Sequence, residues 1–450
     1  MPASAQSSHD IIAAIATAPG RAGIGVVRVS GKSLAGLAQS LCGKALPPRL
    51  AVLTQFKDGQ GVAIDQGLAL FFPGPQSYTG EDVLELQGHG GPVVLQRLLK
   101  RCLELGARVA GPGEFSQRAF LNGKMDLAQA EGVADLIDAA TEQAARCANR
   151  SIQGEFSAAV HAVADGLTEL RALTEATLDF PEEDIDTGTR RDQSARLLAV
   201  RQKLAQLIAA SAQGSLLREG AVVVLAGQPN AGKSSLLNRL AGAEVAIVTE
   251  IPGTTRDAIR QSINLRGMPV HIVDTAGLRE STDPVEQIGI ARTWAAIAQA
   301  DLAVLVIDAT HGETVADRAI LAKLPPSLPC LRAYNKADLV VSVGATVGYG
   351  EGAVTLSAKT GEGVEDFRAA LSEAIGWRGE GEGVFMARAR HLEALRLAEA
   401  GMARAESQIG QQELFAEELR AAHQALMSIT GEISADDLLG EIFSRFCIGK

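Results

Sequence analysis

Residues 227–235 read Gly-Gln-Pro-Asn-Ala-Gly-Lys-Ser-Ser, and the apolar run Ala221–Ala226 precedes them. Gly227 and Gly232, followed directly by Lys233, Ser234 and Ser235, have the spacing of a phosphate cradle. Backbone N–H groups around Asn230, Ala231 and Gly232 point at the phosphates, Lys233 reaches the outer ones, and the Ser234 hydroxyl suits Mg²⁺. A plain strand-to-helix turn would give one such match by chance. Three further nucleotide motifs in the expected order argue against that reading.

Asp274-Thr275-Ala276-Gly277 closes the apolar stretch Val270–Val273. An aspartate ending a buried strand reaches the shell of Mg²⁺, and a glycine N–H meets a terminal phosphate. Asn335-Lys336-Ala337-Asp338 ends another apolar segment. The Asp338 carboxylate accepts from the N1–H and 2-amino groups of guanine. Adenine has neither donor and leaves the carboxylate unpaired. Ser357-Ala358-Lys359 fits the small loop that closes over the base. The nucleotide is therefore GTP.

Two features bear on hydrolysis. Leu278 follows Gly277, where many regulatory GTPases carry the glutamine that orients the attacking water. A carboxylate on the next segment must then help, and Glu280, Asp283 and Glu286 are all candidates. Upstream, Thr249-Glu250-Ile251-Pro252-Gly253-Thr254-Thr255 stands where a first switch loop closes on Mg²⁺ and the γ-phosphate. Asn230 offers a side-chain oxygen that, with carbonyls from an overhanging loop, suits a monovalent cation. An asparagine there also serves simply to stabilise the turn.

These motifs need a Ras-like α/β scaffold, expected over residues 217–378. Two other textures flank it. Residues 1–122 read as an α+β module, with strands over Ile24–Val29, Gly67–Phe72 and Asp82–Leu86 and an amphipathic helix from Pro92 to Leu105. From Lys124, Ala and Leu dominate at helical spacing. Leu127, Ala130, Val133, Ala134 and Ile137 form one stripe, and Leu167, Leu170, Leu173 and Ala176 another. A further helix runs from Leu197 to about Ser211, and the tail from Val384 has the same texture. The expectation is a multidomain α/β and α protein: an N-terminal α+β domain, a discontinuous helical domain over 123–216 and 379–450, and the P-loop GTPase domain inserted into it.

Composition bounds the partners. With 46% hydrophobic but 4% aromatic residues, the cores of this 450-residue chain must be Leu, Val, Ile and Ala. A net charge of −11 advertises no basic face, so any nucleic-acid contact is local or shared with a partner. The five cysteines, Cys42, Cys102, Cys147, Cys330 and Cys447, are scattered and never spaced C-x-x-C, which fits a reduced, cytoplasmic protein. No apolar run is long enough to span a membrane, and Met1–Asp10 has no signal-peptide pattern. The ending Cys447-Ile448-Gly449-Lys450 is not a prenylation box, because a terminal Lys is a poor last residue.

The phosphate loop, Gly253-Thr254-Thr255-Arg256-Asp257, Asp274–Glu280 and the ending Phe446–Lys450 together resemble the tRNA modification GTPase family MnmE, also called TrmE. The N-terminal blocks Pro19–Gly25, Tyr78–Asp82, Leu86–Gly91 and Arg118–Asn122 agree. The resemblance covers essentially the whole chain. It implies a potassium-activated GTPase that acts with a flavoprotein partner resembling MnmG, in a heterotetramer, so FAD enters only through that partner. The pair adds an aminomethyl or carboxymethylaminomethyl group to carbon five of a tRNA wobble uridine, with the one-carbon unit from a tetrahydrofolate. The N-terminal domain is implied to bind folate and to form a homodimer. By the same resemblance Arg28, Glu85, Lys124 and Lys450 match folate positions. Cys447 matches a tail cysteine needed for modification. Asn230, Thr249, Ile251 and Thr254 match potassium ligands, Ser234 and Thr255 magnesium ligands, and Glu286 the catalytic carboxylate. Pro252 departs from the family's alanine and stiffens the cation loop. Two other readings stay open: a ribosome-assembly GTPase, which would want a basic RNA-binding domain, and a stand-alone folate-dependent aminomethyltransferase with a regulatory GTPase, which would recover no flavoprotein in a pull-down.

Overall fold

The computed structural model describes residues 10–179, 190–242, 259–274, 297–340, 352–379, 383–433 and 436–449. Contacts divide the chain into two compact units, residues 1–134 with 427–450 and residues 135–426.

The first unit is built on a six-stranded sheet in the order β3-β4-β5-β2-β1-β6. The strands are β1 (Ile11–Ile15), β2 (Ala22–Gly31), β3 (Val52–Lys57), β4 (Ala63–Phe72), β5 (Asp82–Gly90) and β6 (Ala107–Val109). Neighbours pair antiparallel except β1 with β6. Three strands were legible from sequence. β1 was not: Ile-Ile-Ala-Ala-Ile has no alternation because both of its faces are covered, with Ile12, Ala13 and Ala14 all buried. Helix α1 (Ala35–Cys42) and helix α2 (Pro92–Glu104) cover one face. α2 starts on Pro92, where a missing N–H costs nothing, and buries Leu95, Leu98 and Cys102 at helical spacing. On the other face Ile12, Ala14 and Ala110 pack with Phe115 of helix α3 (Glu114–Leu121).

The chain's end belongs to this unit. The helix Asp436–Ser444 buries Leu439, Ile442 and Phe443, and with Phe446 these pack on Leu127 and Ala130 of α4 (Leu127–Asp138). Leu438 packs against the same cluster, partly buried. The stripe on α4 breaks at its end. Ile137 is 40% exposed, whereas Asp135 is buried. Asp135 goes inward because Arg218 and Arg388 hold its carboxylate at 3.0 and 2.8 Å.

The second unit holds helices α5 (Glu142–Ile152), α6 (Glu155–Asp179) and α7 (Arg190–Glu219), the helix Ala389–Ser407, and a second six-stranded sheet. Its order is β12-β11-β10-β7-β9-β8, from strands β7 (Ala221–Ala226), β8 (Ile259–Leu265), β9 (Met268–Asp274), β10 (Leu302–Asp308), β11 (Cys330–Asn335) and β12 (Ala353–Thr355). All pair parallel except the β8–β9 hairpin. This is the doubly wound sheet the nucleotide motifs require. The helical stretches are thus shared between the two units. α7 also outruns its expected end near Ser211. Gly214 within it is a place of close approach: a Cβ there would lie 1.5 Å from the Phe385 carbonyl oxygen.

Candidate guanine-nucleotide site and a second polar site

The sheet order brings the carboxyl ends of β7, β10, β11 and β12 side by side, and ligands bind at such an edge. β7 runs into the loop 227–232 and then helix α8 (Lys233–Ala241). Two glycines make that loop possible. Gly227 has φ +145° and lies against Val306, where a Cβ would meet the carbonyl oxygen at 2.4 Å. Gly232, with φ +100°, is the N-cap of α8, and its Cβ would fall 2.1 Å from Asn335 Nδ2. A chain with side chains at these places would fill its own cradle. The Lys233 ammonium donates to the Gly227 and Gln228 carbonyls, both at 2.8 Å. Ser234 stands exposed in the first turn of α8.

Asn335 ends β11 and is 2% exposed. Its Nδ2 donates to the Ala231 carbonyl at 2.9 Å, and its Oδ1 accepts from Ala358 N–H at 2.9 Å. One amide therefore joins the phosphate loop to the Ser357-Ala358-Lys359 loop. Lys336 adopts a left-handed conformation, φ +67°, and its ammonium meets Asp308 Oδ2 at 2.6 Å. Ala337 and Asp338 begin a short 3₁₀ turn. Ser357 Oγ donates to Asp338 Oδ1 at 2.6 Å, which aims the carboxylate that would read guanine. These contacts bring Asn230–Ser235, Asn335–Asp338 and Ser357–Lys359 to one edge.

Three supports were not foreseen. Gln228 donates to Thr314 Oγ1 and Asp317 Oδ2 at 2.7 and 2.9 Å, bracing the phosphate loop on a capping box. Arg239 Nε donates to the Ala358 carbonyl at 3.0 Å. Asp308 ends β10. Burial resists its ionisation, but hydrogen bonds from Lys336 and Thr310 win and hold its carboxyl down at about 2. An aspartate closing the apolar run 302–307 was a visible signal for Asp308. Arg239 had none, because only the fold brings α8 beside residue 358.

Several expected residues lie outside the described residues: Thr249, Glu250, Ile251, Pro252, Gly253, Thr254 and Thr255; Thr275, Ala276 and Gly277; Glu280, Asp283 and Glu286; and Lys450. Asp274 is the last residue of β9. Asn230 is exposed at the top of the phosphate loop, with φ +64°.

In the first unit, Arg28 on β2 and Glu85 on β5 are cross-strand neighbours. Arg28 Nη2 and Nε donate to Glu85 Oε1 at 2.9 and 3.1 Å. The guanidinium stacks 5.5 Å from the Tyr78 ring and 5.9 Å from that of Phe115. Both members of the pair are half-buried, with donor and acceptor edges still open to a ligand. Such a site fits a group with both a polar ring and an anion. The Lys124 ammonium rests on the Pro75 carbonyl at 3.1 Å. The tail folds onto the same module: Gly113 N–H donates to the Cys447 carbonyl at 3.3 Å, Ile448 bridges Pro112, and a Cβ on Gly449 would lie 2.5 Å from the Ile15 carbonyl oxygen. Cys447 is an exposed free thiol two residues from this anchor at Gly449. Among the described residues, no group of His, Cys, Asp and Glu is placed to hold a metal, and no helix is long and apolar enough to cross a membrane.

Residues 11–124 match the family described as GTP-binding protein TrmE N-terminus, and residues 127–447 the one described as MnmE helical domain. A curated relative from Nitrosomonas europaea, the tRNA modification GTPase MnmE, is 59% identical over 450 residues, covering 99% of this chain and 100% of its own. The protein of that name from Laribacter hongkongensis is 59% identical over 445 residues, covering 98% of this chain and 99% of its own.

Proposed function

The chain belongs to the MnmE family of tRNA modification GTPases, and from that premise we propose how its GTP hydrolysis serves its chemistry. It is a GTP hydrolase acting in tRNA modification. The carrying observation is the Asn335 amide, which ties the phosphate loop to the base loop and leaves the ordered Asp338 carboxylate to select guanine.

GTP sits over the loop 227–232, with Lys233 turning from its own loop's carbonyls to the outer phosphates. Ser234 and Thr255 would hold Mg²⁺. Asn230, Thr249, Ile251 and Thr254 would hold potassium, which would supply the positive charge that an arginine finger brings elsewhere. Glu286 orients the attacking water, since Leu278 has no donor or acceptor. The backbone of 249–255 and 274–277 completes the nucleotide contacts.

Residues 1–122 bind a tetrahydrofolate derivative and form a two-fold dimer. Residues 123–216 and 379–450 form the helical domain, and 217–378 the GTPase domain. Arg28, Glu85, Lys124 and Lys450 hold the folate, whose polar pterin wants a carboxylate and whose glutamate tail wants cations. Cys447, carried on the tail anchored at Gly113 and Ile15, serves the modification of the wobble uridine. A flavoprotein resembling MnmG is the partner, and the setting is cytoplasmic. Mass spectrometry of wobble nucleosides tests this in a deletion strain. The deletion should lose the carbon-five modification, the intact chain should restore it, and Cys447→Ser should not. Unchanged nucleosides in the deletion strain would reject the reading.

A further inference from the structure

Besides Glu85 on β5, two further segments set the direction of Arg28. Tyr78 sits on the loop 73–81, and Phe115 on α3. The loop makes no ladder with a strand and contains Pro73, Gly74, Pro75 and Gly80. The residues that end and follow α3 tie it down. Arg118 donates to Glu81 Oε2 at 2.9 Å, to the Asp10 carbonyl and Oδ1 at 2.9 Å each, and to Glu114 Oε1 at 3.0 Å. The Asn122 amide donates to the Thr79 carbonyl at 2.7 Å. The Lys124 ammonium reaches the Pro75 carbonyl. Gly80, with φ +78°, admits this approach, because a Cβ there would lie 2.9 Å from the Asn122 Cβ. Finally, the Tyr78 hydroxyl meets Ser116 Oγ at 2.8 Å, so α3 also fixes the ring.

We propose that Arg118 and Asn122 are positioning residues for the ligand at Arg28 and Glu85: they fix the loop 73–81, and with it the Tyr78 ring that steers the Arg28 guanidinium. This rests on the folate reading of Arg28 and Glu85. The physical reason is pre-organisation. A guanidinium held between two rings loses little freedom when an anion or polar ring arrives. With Tyr78 loosened, Arg28 collapses further onto Glu85, and both partners must be pulled apart before a ligand binds. Neither Arg118 nor Asn122 touches the ligand.

The test is titration of the full chain with 5-formyltetrahydrofolate, followed by calorimetry. Arg118 is buried among the carboxylates of Asp10, Glu81 and Glu114, so its loss endangers the fold. Asn122 is exposed, and Asn122→Ala is the primary variant, with Arg118→Lys as the second. Loss of one anchoring hydrogen bond should weaken binding about tenfold. Arg28→Ala should abolish it. In a Tyr78→Ala background Asn122→Ala should add no further loss, because both act through the same ring. If the parent fails to bind, or Arg28→Ala binds as the parent does, the folate reading falls and this inference with it. If Arg28→Ala loses binding while Asn122→Ala and Arg118→Lys match the parent, the positioning role alone is overturned. Losses that multiply in the Tyr78→Ala background overturn it too.

Discussion

Asn335→Ala isolates the tie between the phosphate loop and the base loop. The side chain is buried and makes two hydrogen bonds, both 2.9 Å long, to the Ala231 carbonyl and from the Ala358 N–H. Alanine leaves both backbone groups unpaired. Each buried orphan costs about 1–3 kcal/mol, so the pair costs about 2–6 kcal/mol before water enters the gap. If about 2–3 kcal/mol reaches the bound state, guanine-nucleotide affinity falls about 30- to 140-fold, at about 1.4 kcal/mol per tenfold. Asn335→Asp is the companion. It keeps the acceptor for Ala358 but turns a carboxylate oxygen toward the Ala231 carbonyl, and should lose at least as much. Titration with a fluorescent guanine nucleotide measures both, with a thermal melt to show that the sheet still folds. An Asn335→Ala affinity within about threefold of the parent would mean that the loops hold their places without the amide, and the reasoning would be wrong.

Asp338→Asn should weaken GTP binding and favour xanthosine nucleotides, read by competition; undiminished GTP affinity would remove Asp338 from the base. Hydrolysis should be faster in potassium than in sodium at matched ionic strength, and equal turnover would dispose of the cation site. Glu286→Ala should lower kcat about 10²- to 10⁴-fold with affinity held; a loss confined to affinity would return the role to Glu280 or Asp283. Asp308 has its carboxyl held down from 3.8 to about 2, so its pairing with Lys336 and Thr310 stabilises the fold above about pH 4 and ceases to do so as pH falls through 2. The gap in melting temperature between the parent and Asp308→Asn should therefore be constant above pH 4 and shrink below it; a gap independent of pH would refute the assignment.

The motifs that name the nucleotide lie within short stretches of chain, and that is why they were legible. A phosphate loop is recognisable locally, because two glycines, a lysine and a serine stand at fixed offsets after an apolar run, although its bracing by Thr314, Asp317 and Asn335 comes from elsewhere in the chain. The same holds for the amphipathic stripe of α2, where spacing alone selects the buried face. Tertiary structure decided what depends on residues far apart in sequence. Asp135 is buried despite its charge because Arg218 and Arg388 arrive from two other segments. Arg239 supports the base loop because the sheet order sets α8 beside residue 358. β1 carried no alternation because both of its faces are covered, Ala13 in the core with α1 and α2 and Ile12 and Ala14 against Phe115. Arg28 and Glu85 are 57 residues apart, and only the antiparallel register of β2 and β5 makes them a pair. Periodicity reports the environment of one element at a time, while a partner across the fold is fixed by register and packing, which no local pattern encodes.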